Sequence, residues 1–355
     1  MTEPRLASGG QPAWIVPLPS AHLGTASMAW RDGYHGGMNG ATTLRSLAAA
    51  LLLAGTGLSL PSGAASPPEN PPRTTTEGVG WWEIELTARK FLLSAESSLR
   101  VEHVSSREAQ EKLAEAPAPP APEPSGPEVD RVTVSSVLPF GRRERVVTWL
   151  DTLSGRALQT EKTRTGSKPY WKLQRYHGQT YTEWRAAPAD RTEEGGDPRS
   201  WDDRRKEVIS CAGRVPPGQV ITDSYALLYR VAAAHLDQPG RDLVLTLCSH
   251  RHLVEVRFRP GRIETEKVSF EESWPGGHRQ RRGRIQVRTV LGTARWLTKH
   301  APGTEPETGL MGMRGPLEIL IEKGTDLPVE VRGHAPGIGR LVVRLKRVIW
   351  RQPPS

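Results

Sequence analysis

Residues 223–236 are the one stretch of this 355-residue chain in which apolar side chains recur at helical spacing. The sequence around them alternates with period two. Tyr225, Leu228, Tyr229, Ala232 and Leu236 fall on one face, Thr222 or Asp223 caps the free N–H groups, and Pro239-Gly240 stops the run. Such an amphipathic helix must lay its apolar face on a partner surface. The rest of the chain offers sheet. Trp82-Glu83-Ile84-Glu85-Leu86 and Leu99-Arg100-Val101-Glu102 alternate apolar with polar residues. Arg131-Val132-Thr133-Val134, Arg145-Val146-Val147-Thr148-Trp149 and Tyr170-Trp171-Lys172-Leu173 carry the β-branched and aromatic residues favoured on a pleated surface. Gly178-Gln179 reads as a tight hairpin turn, and 243–247 with 253–258 as a hairpin about 249–251, continued by 263–270. Residues 284–291, 317–322, 327–332 and 341–349 read as further strands. The expected fold is mainly β: one domain over 80–350, a strongly curved antiparallel sheet (half-barrel or open barrel) with the 223–236 helix on its concave face.

The N-terminal region carries an address. Residues 38–45 end in Arg45, an apolar run follows from Ser46 to Ala54, and Ser62-Gly63-Ala64-Ala65-Ser66 supplies small residues. That is the layout of a secretory signal peptide over 38–65, cut after Ala64 or Ala65. Residues 1–37 then read as an untranslated upstream extension or a disordered piece, with Met38 as the start and Met28 as second candidate. An uncleaved anchor competes, but 47–60 are interrupted by Gly55, Thr56 and Gly57 and fall short of the roughly 20 residues a spanning helix needs. No Cys follows the run to accept a lipid. Pro67, Pro68, Pro71 and Pro72 make 66–79 a stiff linker, and the Ala/Pro-rich segment 114–128 reads as an unpacked surface insertion. The expected location is exported: periplasm or extracellular.

Export changes the reading of charge. The net charge is +9, with Lys and Arg 48 against Asp and Glu 39. For an exported chain the polyanions within reach are head groups and envelope polysaccharides, and nucleic acid is not an expected partner. The dense basic run is His278-Arg279-Gln280-Arg281-Arg282-Gly283-Arg284, read as a solvated hairpin loop whose Arg279, Arg281, Arg282 and Arg284 are candidates for contacting anions. Cys211 and Cys248 are the two cysteines. In an oxidising compartment such a pair commonly bridges, stabilising by about 2–4 kcal/mol, and the sequence leaves open whether these two meet. Cys248, His250 and His252 alternate, but a turn between them splits the donors, and no metal site is expected. The eleven Trp read as core and sheet packing.

Several runs look familiar together. Ile221-Thr222-Asp223-Ser224-Tyr225-Ala226-Leu227-Leu228-Tyr229-Arg230 is followed by Gln238-Pro239-Gly240-Arg241-Asp242-Leu243 and by a hairpin to Val256. Gly315-Pro316-Leu317-Glu318-Ile319-Leu320-Ile321, Asp326-Leu327-Pro328-Val329-Glu330-Val331 and Gly337-Ile338-Gly339-Arg340-Leu341 close the chain, and Asp151-Thr152-Leu153-Ser154-Gly155-Arg156-Ala157-Leu158 lies upstream. Over roughly residues 81–348 this resembles a widespread bacterial exported family catalogued as a domain of unknown function. The resemblance implies an Asp-led helix with a Leu-x-Tyr signature, a Pro-Gly stop and a Leu-Pro strand entry, and carries no reaction signature. The strand plan is similar to that of periplasmic lipoprotein carriers, in which a curved sheet wraps a helix over an apolar cavity; this is fold analogy alone.

Catalytic constellations are not legible. The chain has no Gly-x-Ser-x-Gly elbow, and Ser224 and His235 lie 11 positions apart, about 16 Å along a helix, too far to form a triad with Asp237. Asp202-Asp203 and Glu271-Glu272 are sequence neighbours that face opposite ways on a strand. Gly337-Ile338-Gly339 reads as a turn. The sequence thus points to a non-catalytic envelope scaffold without cofactor, offering an apolar groove to a lipid, an acyl chain or a partner segment. A secreted hydrolase of an envelope polymer and a purely structural module are the alternatives.

Overall fold

In the computed structural model the described residues are 78–354, apart from 91–92, 116–120, 212–214, 237–239, 250–251, 300–304, 307 and 309. The expectations for 1–37, for the signal segment 38–65 and for the linker up to residue 77 lie outside the described residues, as do Asp237, Pro239 and His250.

The first eight strands form an antiparallel meander: β1 (Trp81–Lys90), β2 (Leu93–Ser105), β3 (Glu128–Val137), β4 (Arg143–Asp151), β5 (Ala157–Thr165), β6 (Tyr170–His177), β7 (Thr180–Ala187) and β8 (Asp203–Ser210). After the short β9 (Ile221–Thr222), a second meander runs through β10 (Leu243–Ser249), β11 (His252–Trp274), β12 (Gly277–Trp296), β13 (Arg314–Glu322), β14 (Pro328–Ala335) and β15 (Gly339–Trp350). The first and last strands of the described chain pair, Trp81 opposite Trp350, so both meanders merge into one 15-stranded sheet with β8 at one edge and β9 at the other. Two parallel contacts make the sheet mixed: β9 on β10, and the far end of β11 (Glu271–Ser273) on β15 (Arg347–Ile349). The second lets the hairpin β11–β12 reach back across β13 and β14. A register shift between Pro260 and Ile263 gives that hairpin its bend, and a proline that cannot donate to the ladder sits at the shift. The exposed edge β8 carries Arg204, Arg205, Lys206 and Glu207, charges that oppose edge-to-edge pairing.

The expected mainly β fold with a helix against the sheet is present. Its helix is shorter than the spacing suggests: a 3-10 turn, Ser224–Ala226, leads into an α-helix, Leu227–Ala233, and the chain leaves the helix by a turn before Leu236. Two short helices were not expected, α1 (Ser106–Lys112) and α2 (Arg191–Glu194); the central helix is therefore α3. Every residue of α3 is buried, Leu227, Arg230, Val231 and Ala233 as well as the face read from the sequence. The helix is enclosed and does not lie on the sheet by one stripe. Its neighbours in one continuous apolar core come from both meanders, among them Ile84, Val101, Val132, Leu150, Tyr176, Phe258, Val290, Leu317, Val331 and Val348. The face of the sheet that meets α3 is hereafter the inner face.

Candidate functional site

Asp223 sits where β9 turns into the helix, and it is 5% exposed. One carboxylate oxygen accepts the Tyr225 N–H at 2.8 Å, capping the first turn, and the Thr148 hydroxyl at 3.3 Å; the other accepts the Tyr176 hydroxyl at 2.9 Å. The cap read from the sequence is thus also a tie to β4 and β6. Tyr229, one turn on, donates to Asp130 at 2.8 Å, whose other oxygen meets His103 at 2.7 Å and the Thr152 hydroxyl at 3.2 Å.

Arg230 is the buried cation of the helix. Its guanidinium occupies the space above Gly155, where a Cβ would fall 2.1 Å from the guanidinium carbon. Gly155 also has φ of +69°, a conformation that costs little only for glycine. Asp151 shapes this turn by accepting from the backbone and hydroxyl of Ser154, both at 2.8 Å, and from the Ser125 N–H. Burial pushes its carboxyl up, but these donors outweigh that and hold it below the usual aspartate value. The run 151–158 is therefore a receptor for Arg230. Ser125 and Gly126, in the segment read as unpacked, are tied in: Ser125 to Asp151, and the Gly126 carbonyl to the Ser106 hydroxyl.

Toward α3's leading end, the inner face of β4–β7 turns polar. Lys162 donates to Tyr225 at 2.7 Å and pairs with Glu144 at 2.9 Å, and Arg164 takes the same carboxylate at 2.8 Å. Burial works against the Lys162 charge, yet Tyr225, Tyr170 and Glu144 hold its pKa well above that of a free lysine. Burial likewise pushes Glu144 up, and Lys162, Arg164 and Arg142 outweigh it and leave the carboxyl low. Directly across the strand pair lies Lys172, whose pKa burial pushes down, with Lys162 and Arg185 adding to the fall and Glu183 opposing it. A lysine depressed by a second cation is a nucleophile's environment. Here its neighbour is the Glu183 carboxylate at 4.0 Å, and the group serves as one rung of a charge ladder packed beside the helix.

The opposite, outer face of β1–β5 carries a recess of about 730 Å³. Its floor is a grid set by register: Glu83, Arg100, Thr133, Val147 and Glu161 in one row, Glu102, Arg131, Trp149 and Gln159 in the next, Ser98, Ser135 and Arg145 in a third. Glu111 and Lys112 of α1 wall one side and Arg199 the other. Apolar patches flank it where α1 covers Trp149 and Leu158, and where Trp201 covers Trp171 and Leu173. Arg131 bridges to Glu102 and lies 5.6 Å from the Trp149 ring centroid, while Arg199 holds Glu161 through a two-oxygen contact at 3.0 and 2.9 Å. Arg145 is exposed and has no partner among the described residues. A second, shallower recess of about 410 Å³ is lined by Glu255, Arg257, Arg259, Thr293, Ala294 and Arg295. Both are polar. The apolar surface that the sequence reading reserves for a lipid or acyl chain is taken by α3 itself, because the helix must bury every side as the sheet wraps it.

The other sequence-singled residues fall as follows. Cys211 and Cys248 are joined by a disulfide, Cα atoms 5.8 Å apart. Cys211 directly follows edge strand β8 and Cys248 lies in β10, next to edge strand β9, so the bridge ties the two ends of the sheet order together. Tyr225, Leu228, Tyr229, Ala232 and Leu236 lie against the inner face as described. Arg279, Arg281, Arg282 and Arg284 belong to β12 and not to a loop, because Pro275-Gly276 makes the turn and Trp274 pairs with Gly277. Arg279 and Arg281 both bind the fully buried Glu272, and Arg281 also binds Glu322; these two arginines are taken by carboxylates. Arg282 and Arg284 are exposed. Sequence reading missed Asp130, Lys162 and the outer recess, since each is assembled by register between strands.

No family model matches the chain, and no curated protein matches it. Among solved structures it is similar to the beta-barrel-like protein of a domain of unknown function, DUF1849, from Brucella abortus, with 7% identity and a TM-score of 0.37 over 76% of this chain and 96% of that one.

Proposed function

We propose that this chain is a non-catalytic binding scaffold of the cell envelope that holds a polyhydroxylated, saccharide-like ligand in the outer recess over β1–β5. The envelope address rests on the signal-like segment 38–65. The lining of the recess carries the proposal: Ser98, Thr133, Ser135 and Gln159 alternate with guanidinium and carboxylate groups on a rigid strand grid. Hydroxyl-rich ligands need such mixed donors and acceptors, and strands hold them with little ordering cost on binding. Binding has more support than hydrolysis. Glycoside hydrolysis needs two cooperating carboxyl groups, whereas in the recess Glu102, Glu111 and Glu161 are each paired with arginine and Glu83 is the one carboxyl there unpaired among the described residues. Lipid carriage has less support because α3 occupies the inner face.

Thr133→Trp fills the centre of the floor from an outward-facing position. Saturation-transfer NMR with an N-acetylglucosamine tetramer and a tetragalacturonate is expected to give binding to the native protein and at least a tenfold weaker Kd for the variant, with unchanged circular dichroism. Equal affinity in both proteins, or contact with neither sugar, overturns the proposal.

A further inference from the structure

The hairpin β11–β12 sorts its charges by face. On one face, turned toward Arg332 of β14, lie Glu264, Glu266 and Glu272, and each is taken: Glu264 by Arg262 and Thr289, Glu266 by Arg332, Glu272 by Arg279 and Arg281. The opposite face of the hairpin is different. Register places Lys267 directly opposite Arg284, Ser269 opposite Arg282, Thr265 opposite Gln286 and Ile263 opposite Arg288. Lys267, Arg282 and Arg284 are exposed, and neither they nor Arg288 has a side-chain partner among the described residues. Glu271 is the acid on that face, opposite Gln280 at the far end.

This arrangement works against stability. Like charges directly opposite on a strand pair destabilise it, and the remedy used elsewhere on this sheet, a cross-strand carboxylate as in Glu255 opposite Arg295, is missing. Cations left in such a ladder are compensated when an anion binds. Same-face residues on one strand repeat at about 7 Å and cross-strand neighbours at about 5 Å, so Arg282, Arg284 and Lys267 present three charges at the spacing of successive groups on a linear polymer. A bilayer fits less well. Insertion needs a free apolar or aromatic wedge, and Trp274 near the tip lies under the Arg279 guanidinium, 5.7 Å from its ring centroid.

We propose that the exposed face of the β11–β12 hairpin that carries Lys267, Arg282 and Arg284 is a docking surface for a linear anionic polymer bearing carboxylate or phosphate groups, with these three residues as its contacts. The surface is independent of the recess over β1–β5, and neither reading needs the other.

The test uses the full mature chain and polygalacturonate of about twenty units, with affinity followed as a function of salt. The variant Lys267→Gln/Arg282→Gln/Arg284→Gln is compared with Arg89→Gln/Arg143→Gln/Arg191→Gln, which removes the same charge from exposed positions elsewhere. The hairpin triple is expected to bind at least tenfold more weakly and to lower the slope of log K against log salt by about 2–3, three released counterions at 0.7–0.9 each. The control triple is expected to stay within twofold of the native protein. Relieved of the Lys267–Arg284 repulsion, the hairpin triple is also expected to unfold at a temperature no lower than the native protein. Equal losses in both triples would reduce the effect to net charge and overturn the proposal. So would no binding by the native protein, a lower unfolding temperature in the hairpin triple, or tighter binding to vesicles of one-third phosphatidylglycerol in phosphatidylcholine than to the polymer.

Discussion

Asp223→Ala is expected to lower the stability of the folded domain by about 3 kcal/mol, measured as a shift of the urea midpoint at unchanged m-value. The helix loses its cap, worth about 1 kcal/mol. The Tyr176 hydroxyl is then left buried without its acceptor, which costs about 1–3 kcal/mol. Thr148 loses its longer bond to the same carboxylate. Asp223→Asn keeps the shape and one acceptor oxygen for the cap and is expected to cost about 1 kcal/mol, the difference between a charged and a neutral acceptor. In a Tyr176→Phe background the alanine change is expected to cost less, because no orphaned hydroxyl remains. Equal cost in both backgrounds would show that Asp223 acts as a helix cap alone.

Removing the bridge by Cys211→Ala/Cys248→Ala is expected to cost about 4 kcal/mol, the loop-closure value for residues 37 apart in sequence. The effect exceeds a local one because of where the bridge lies. It joins the chain leaving edge strand β8 to β10 beside edge strand β9, so it limits how far the ends of the sheet order separate around α3. Hydrogen exchange should therefore rise first in β8 and β10 in the double variant. Uniform acceleration over all fifteen strands would assign the bridge to the unfolded state only.

The strands and the Asp-led helix were legible because both rest on local periodicity, as at Trp82 to Leu86 and from Tyr225 to Tyr229. Arg230 was not, since between two apolar residues on a helix it reads as a solvent-facing side chain; only the bare Gly155, brought beneath it by the β4–β5 turn, makes room for it. The inner-face ladder of Thr148, Lys162, Lys172 and Glu183 escaped for a related reason. On β4–β7 both faces carry polar groups, so alternation does not say which face is covered. The basic run was misplaced as a loop because its turn, Pro275-Gly276, is two residues long and the arginines simply continue the strand. Which arginine faces Glu272 and which faces water is then settled by parity along β12, a property of register that composition does not carry.

Every residue of α3 is buried, and the proposed binding on the outer face depends on that enclosure. Native-state hydrogen exchange of the backbone amides of residues 227–233 tests this most directly. Enclosure predicts that they exchange only through global opening, with the same denaturant dependence as the core strands β3 and β13. Exchange at rates set by small local openings, or protection that changes on adding lipid, would place the helix at a surface and contradict its enclosure.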